Sequence, residues 1–512
     1  MARFQWWAYV VVFIASGCTL VLEIVAGRII APVVGVSLYT WTSVIGVVLA
    51  GISLGNYTGG VVADRWVARR TLGVVLALGG LSSLSILPLI RFMTDFSYPP
   101  DFSLVAKIVA MTGVIFFPPA FIISMTTPIV IKLCLKDLSE TGGVVGRLYA
   151  VSTCGSILST FLTGFVLIAS FGTREIVLGV GVLLVLLAVT FGGLLTGNRG
   201  AAMGSAVAVG LVAVGVLAVG LRMQAFESGC TRETDYYCIR VLPTQLEGRN
   251  LEQLILDHLI HSYNDPNDPT YIHYGYEKVY VEVMTYISQA QPNFKVLQLG
   301  GGGYTMPRYV EATYPNAQDE VIEIDPSVTQ VAYQYMGLSP RTRVVTVNTD
   351  ARVGLQQMSS EQKFDLILGD AFNDLSVPYH LTTQEFDRQL ALHLTPTGFY
   401  LANIIDKMQG GRFIPSIVRT LQTVFPHVYV MSEVNSFDTA AQNTYVVAAS
   451  ASALDLDRLG NERGLAADGH ILTQIMGDSQ MQDWLSHADS VLLTDNYVPA
   501  DNLLAPLFLE RN

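Results

Sequence analysis

Long apolar stretches dominate the first 222 residues, and short apolar runs broken by turn signals dominate the rest. The long stretches lie at about 7–30, 38–63, 72–91, 103–134, 142–172, 176–195 and 202–221. Each is near or above the ~20 residues that carry a helix across a ~30 Å hydrocarbon core, so a seven-helix membrane domain over 1–222 is expected. Pro118 and Pro119 fall inside the fourth stretch, and each removes a backbone donor, which predicts a kink or a re-entrant split there. The first stretch is long, lacks a small-residue cleavage site and is followed by further spans, so it reads as a span and not as a signal peptide.

From about residue 235 the periodicity changes. Tyr236–Leu242 and Leu251–Ile260 read as strands of a small β-domain, assigned to 223–275. Tyr276–Ala290 has helical spacing. An alternation follows: strand 295–299, helix 305–313, strand 320–324, helix 327–336, then strands at 344–347, 366–368 and 399–403 and a helix around 414–425. Repeated β-α units with apolar strands predict a Rossmann-like, doubly wound α/β domain over 276–512, with a largely parallel sheet. Ligands bind such sheets at the carboxyl ends of the strands.

Charge separates the halves. Residues 1–222 hold 13 Lys+Arg and 7 Asp+Glu, and the remainder holds 17 and 35. An acidic domain repels phosphates, so nucleic acid is not an expected partner; a cationic ligand suits it, as does an ordinary solvated surface. Lys and Arg fall eight to five between the two sets of helix ends, with Arg3 and Lys136 among the eight, which favours a cytoplasmic N-terminus. Seven crossings then put the C-terminal domain outside the cytoplasm, and six with a re-entrant pair keep it inside. Cys18, Cys134 and Cys154 lie in apolar spans and read as packing residues. Cys230 and Cys238 flank a short polar stretch and form either a disulfide or two free thiols, depending on that sidedness. No zinc-type spacing appears, and no metal is expected. Glu23, an acid deep in an apolar span, calls for a partner, a proton or a function. Gly51, Gly55, Gly59 and Gly60 read as close helix packing.

Four features fall on successive strand ends. Gly300, Gly301, Gly302 and Gly303 follow the first strand and allow a tight turn beside a nucleotide; their spacing departs from the dinucleotide fingerprint. Glu323 ends the second strand, twenty residues past Gly303, where a carboxylate accepts ribose hydroxyls. Asp350-Ala351 ends the third strand and Asp370 the fourth. Each acid taken singly is also a good helix cap; together they predict an adenosine site.

These residues resemble the spermidine/spermine synthase family, and the whole chain is similar to its membrane-fused, multi-pass branch. Ile260-His261 resembles the family's β-domain strand leading to the active site, and Glu277-x-x-Tyr280-x-Glu282 its helix motif. The glycine run, Glu323-Ile324-Asp325, Asp350-Ala351 and Asp370 follow in the family's order, with Asp370-Ala371-Phe372, His380, Thr383 and Leu493-Thr494-Asp495-Asn496 similar to the membrane-fused variant. The resemblance implies a membrane-bound aminopropyltransferase that takes decarboxylated S-adenosylmethionine and an amine or polyamine, releases methylthioadenosine and forms a homodimer. It implies that Asp370 and Tyr280 are catalytic, that Glu323 binds ribose and Asp350 the adenine amino group, and that Ala351, His261 and the four glycines complete the donor site. This chain departs from the family at Gly303, where the family has an aspartate gripping the donor's cationic end. It departs again at Val281, at Asn373 and Asp374 near the acceptor site, and at Asn403-Ile404-Ile405. Intact S-adenosylmethionine therefore stays open as the donor. So do a methyltransferase, an S-adenosylmethionine-cleaving enzyme, and a non-catalytic nucleoside- or polyamine-binding transporter or sensor.

Overall fold

The computed structural model describes residues 6–96, 98, 102–135, 137–194, 199–371, 377–433, 437–461 and 473–509. Arg3, Lys136, Phe372, Asn373 and Asp374 lie outside them. The chain divides into two compact units, Met1–Gly229 and Cys230–Arg511.

The first unit is helical: α1 (Trp6–Val34), α2 (Leu38–Arg65), α3 (Arg69–Leu84), α4 (Ile86–Asp95), α5 (Leu104–Ser124), α6 (Thr126–Cys134) and α7 (Thr141–Leu162). A π turn (Thr163–Leu167) carries α7 into α8 (Ile168–Ser170), and α9 (Thr173–Phe191) and α10 (Arg199–Arg222) follow. Among the described residues, six helical stretches are long and apolar enough to cross a membrane, counting α3 with α4 and α5 with α6 as one each. The apolar part described in α10, Val207–Arg222, is shorter. Pro118 and Pro119 do not split their helix; both lie inside α5. The break comes at Met125, because Pro128 cannot donate the hydrogen bond that would carry the ladder through. A comparable break at Ser85 separates α3 from α4 ahead of Pro88. In α2, Gly55 lets α5 approach so closely that a Cβ there would lie 2.2 Å from the Phe121 carbonyl oxygen, whereas Gly60 faces open space. Cys18 is buried as expected, but Cys154 is exposed on α7.

The second unit opens on an antiparallel sheet, β1 (Arg232–Glu233), β2 (Cys238–Leu246), β3 (Arg249–Leu256) and β4 (Leu259–Asn264). The single strand expected over 251–260 is two, because Asp257 turns the chain with a left-handed φ of 52°. Cys230 and Cys238 form a disulfide. The larger sheet comprises β5 (Lys295–Leu299), β6 (Gln318–Glu323), β7 (Val345–Asn348), β8 (Phe364–Gly369), β9 (Leu394–Lys407), β10 (His427–Ser432), β11 (Gln442–Ser450) and β12 (Gln474–Ile475). Its order is β12-β10-β11-β9-β8-β5-β6-β7. The five strands from β9 to β7 are parallel, while β11, β10 and β12 join antiparallel. The sheet is thus mixed, a Rossmann-like arrangement with an antiparallel margin where a largely parallel one was expected. Helices α11 (Gly275–Ala290), α12 (Thr305–Thr313), α13 (Pro326–Gln334), α14 (Ala351–Gln357), α15 (Gln384–His393) and α16 (Phe413–Gln422) cover it. One core packs Tyr280 and Met284 of α11 against Leu366, Leu368 and Leu401. Another joins Ile239 and Leu254 of the small sheet to Val321 and Val328, which fixes the small sheet beside the strand ends.

Candidate active site

The turn after β5 is built by backbone constraint. Gly300 adopts φ +101°, and a Cβ on it would stand 2.4 Å from the carbonyl oxygen of Asp370. Only glycine combines that dihedral with that approach, so the loop and the end of β8 lie against each other. Tyr304 closes the turn in the left-handed region at φ 56°. Its buried ring holds it there, with the hydroxyl 3.0 Å from Thr329 Oγ1 and 3.2 Å from Thr346 Oγ1.

Glu323 ends β6 facing this loop. Its Oε2 accepts from the Gly301 N–H at 2.8 Å and its Oε1 from the Asp325 N–H at 2.9 Å. Burial raises its pKa, and the backbone N–H groups oppose the rise. Asp350 caps α14, with Oδ1 accepting from the N–H groups of Arg352 and Val353, as the capping reading of these acids anticipates. Its Oδ2 lies 2.8 Å from His380 Nε2. Burial works to raise this carboxyl, but the Val353 N–H and His380 outweigh it and the pKa falls below the ordinary value. Ala351 begins α14 and is buried. The Asp495 carboxylate pairs with Arg352 at 2.7 and 2.6 Å and accepts from the Thr383 hydroxyl at 2.7 Å. The C-terminal signature thereby fastens the start of α14.

Asp370 follows β8 directly and is half-buried, facing the cavity described below. Its Oδ1 accepts from Asn403 Nδ2 at 2.8 Å and its Oδ2 from the Tyr276 hydroxyl at 3.1 Å. Burial raises the pKa; the bonds from Asn403 and Tyr276 lower it. Tyr280, one turn on from Tyr276 along α11, meets that ring edge-on at 5.5 Å. Its own buried hydroxyl has no hydrogen-bond partner among the described residues. Burial, and then the neighbouring Asp370, raise Glu277 to about 8, so it holds its proton at neutral pH.

A cavity of about 340 Å³ gathers these groups. His261, Tyr280, Asp370 and all four glycines line it, together with Ser262, Tyr276, Glu277 and Asn403. Glu323, Asp350 and Ala351 are not part of its lining; they stand along the ends of β6 and β7. Burial depresses His261 to about 4, so the imidazole is neutral. Its Nε2, Ser262 Oγ and Asn403 Oδ1 are buried without hydrogen-bond partners among the described residues. At a cavity wall such atoms are open to a hydrogen bond from a bound molecule or from water. Gly303 leaves no room for a side chain, since its Cβ would stand 2.0 Å from Ser262 Oγ. Sequence reasoning found Asp370 but missed Tyr276 as its partner; the signal available was Tyr276's place one helical turn before Tyr280. It also missed Ser262, for which spacing carries no signal. Among the described residues no group of three or more His, Cys, Asp or Glu is arranged to hold a metal ion.

No family model matches the chain. A polyamine aminopropyltransferase of Vibrio vulnificus is 32% identical over 142 residues, covering 28% of this chain and 46% of that protein. A probable polyamine aminopropyl transferase of Bifidobacterium longum is 30% identical over 130 residues, 25% of this chain and 28% of that protein. The human eEF1A lysine and N-terminal methyltransferase is 28% identical over 148 residues, 26% of this chain and 20% of that protein. The chain thus spans less than half the length of these curated relatives. Among solved structures, a probable spermidine synthase from Corynebacterium glutamicum aligns with a TM-score of 0.44 at 20% identity, over 50% of this chain and 93% of that one.

Proposed function

Taking as premise that the C-terminal unit is spermidine/spermine synthase-like, we propose that this chain is a membrane-bound aminopropyltransferase acting on an S-adenosyl donor and an amine. The observation that carries the proposal is Asp370, half-buried at the end of β8, hydrogen-bonded by Asn403 and Tyr276 and facing the cavity beside the glycine loop. Glu323 holds the donor ribose and Asp350 marks the adenine edge. The acceptor enters as an ammonium and gives a proton to Asp370. The freed amine attacks the carbon next to the sulfonium, a C–N bond forms, the C–S bond breaks, and methylthioadenosine leaves with the electron pair. Because the sulfonium departs readily, holding the two reactants in line supplies much of the acceleration. In this reading the helical unit lies in the bilayer and the protein works as a homodimer.

Calorimetry on the full-length protein tests the donor site. Methylthioadenosine is expected to bind, and Glu323→Ala to weaken it at least tenfold, about 1.4 kcal/mol. Equal binding by the variant would remove Glu323 from the site, and absence of binding by the native protein would remove the nucleoside reading. A methyltransferase is the second reading. It is favoured by Ser262 filling the space of a Gly303 side chain, which leaves this loop position without a carboxylate for a cationic donor tail.

A further inference from the structure

Inside the helical unit a second cavity, of about 110 Å³, lies among α1, α2, the α5–α6 break and α7. By this measure roughly 10–15 Å³ holds one water, so the space takes an amine of a few heavy atoms and exceeds the needs of one bare ion. The surrounding stretches are strongly apolar, with mean hydropathies of 1.6 to 2.3, yet polar side chains share the cavity wall with Ala15, Leu20, Ile52 and Ile123. Ser16 and Thr19 come from α1, Asn56 from α2, Ser124 and Thr127 from the two sides of the break, and Ser152 from α7. Ser16 and Ser152 share a 2.6 Å hydrogen bond across the helix pair, and Thr19 returns its hydroxyl to the Ala15 carbonyl. Polar side chains in spans of this length are costly and gather where a solute binds or passes.

The break belongs to the same place. Pro128 has no N–H to continue the helical ladder back to the Ser124 carbonyl, and Ser124 lines the cavity. Interrupted backbone is tolerated at membrane depth where it borders a cavity, and interrupted helices are the usual walls of solute sites. Loose packing does not account for the space. Gly55 brings α2 against Phe121 and Ser124, and Gly17 brings α1 against Gly155 and Ser159, so that a Cβ at either position would clash.

The lining decides the charge of the occupant. Hydroxyl residues and Asn56 offer acceptor oxygens around the cavity, and among the described residues no charged side chain of either sign lines it. Glu23 is not part of the lining, but it follows Thr19 by four residues and Ser16 by seven, which places it further along the same face of α1. We infer that this cavity binds the ammonium head of a small amine, as a site of its own within the helical unit. The inference goes beyond the chemistry proposed for the C-terminal unit and does not depend on it.

The test uses the full-length chain in lipid nanodiscs, with Ser152→Cys labelled by 2-aminoethyl methanethiosulfonate and putrescine as the probe amine. The unsubstituted chain gives the background from its native cysteines. Labelling at 152 is expected above that background, and putrescine is expected to slow it about fivefold, whereas sodium chloride at equal ionic strength leaves it unchanged. Adding Asp370→Asn should preserve the protection, which separates this site from the cavity of the C-terminal unit. Adding Asn56→Leu should abolish it. Absence of labelling, protection matched by sodium chloride, or protection lost with Asp370→Asn would each overturn the inference. If Ser152→Cys fails to fold, Ser156→Cys on the same cavity wall carries the same measurement.

Discussion

Asn403 has one orientation open to it. Its Nδ2 donates to Asp370 at 2.8 Å, so its Oδ1 is turned the other way, buried without a partner among the described residues. A substrate N–H reaching that oxygen would be held beside the carboxylate that takes its proton. The same hydrogen bond helps lower the Asp370 carboxyl against the burial that raises it. Removing the bond with Asn403→Leu should raise the pKa of Asp370 further. A base with a higher pKa is protonated at higher pH, so the acid limb of the kcat profile should move up in pH. The rate itself should fall about 10- to 100-fold. A pH–rate series on the full-length protein reads both effects; an unmoved acid limb would uncouple Asn403 from Asp370. Asp370 was legible in the sequence because an acid directly after an apolar strand marks a ligand-facing strand end. Its partner Tyr276 was not, because the two lie 94 residues apart and no local spacing pairs them. Tyr280, chosen instead, shares the helix face and the cavity but leaves Asp370 to Tyr276.

The contact between β4 and the glycine loop sets what this loop can carry. Ser262, third from the end of β4, stands where a side chain on Gly303 would go. Gly303→Asp alone should lower the melting temperature by several degrees, the ordinary effect of overpacking by about 1–3 kcal/mol. Pairing it with Ser262→Gly should recover most of the loss and shift binding preference about tenfold towards decarboxylated S-adenosylmethionine. Thermal melts and calorimetry check this, and an unchanged melting temperature for Gly303→Asp alone would refute the steric account. The β-α alternation was legible because apolar runs there end in Gly or Asp at each turn. Elements misread were those with unmarked punctuation. Asp257 reverses the chain between two apolar runs without a glycine or proline to mark it, so β3 and β4 looked like a single strand. In the fourth apolar stretch Pro118 and Pro119 are carried inside α5, and the helix breaks three residues ahead of Pro128.

The two units differ in their chemistry as whole bodies, one apolar and helical, the other acidic and stapled by Cys230–Cys238. Such a disulfide persists where the surroundings are oxidising. It also closes the segment whose Thr234 hydroxyl donates to Asp325 at 2.6 Å, beside Glu323. Replacing the pair by Cys230→Ser with Cys238→Ser should cost about 2–3 kcal/mol of stability, as for a short closed loop, and weaken nucleoside binding with it. Thiol titration of the denatured protein, with and without prior reduction, should show two additional thiols only after reduction. Two such thiols before reduction would place the unit on a reducing side. Turnover at Asp370 is read out by product formation in the intact protein. Full-length protein in lipid, given decarboxylated S-adenosylmethionine and putrescine, should release methylthioadenosine and spermidine in equal amounts by liquid chromatography and mass spectrometry. Asp370→Asn should lose at least about 100-fold in rate while still binding methylthioadenosine. Methylthioadenosine formed without spermidine, or at an unchanged rate by Asp370→Asn, would contradict the account.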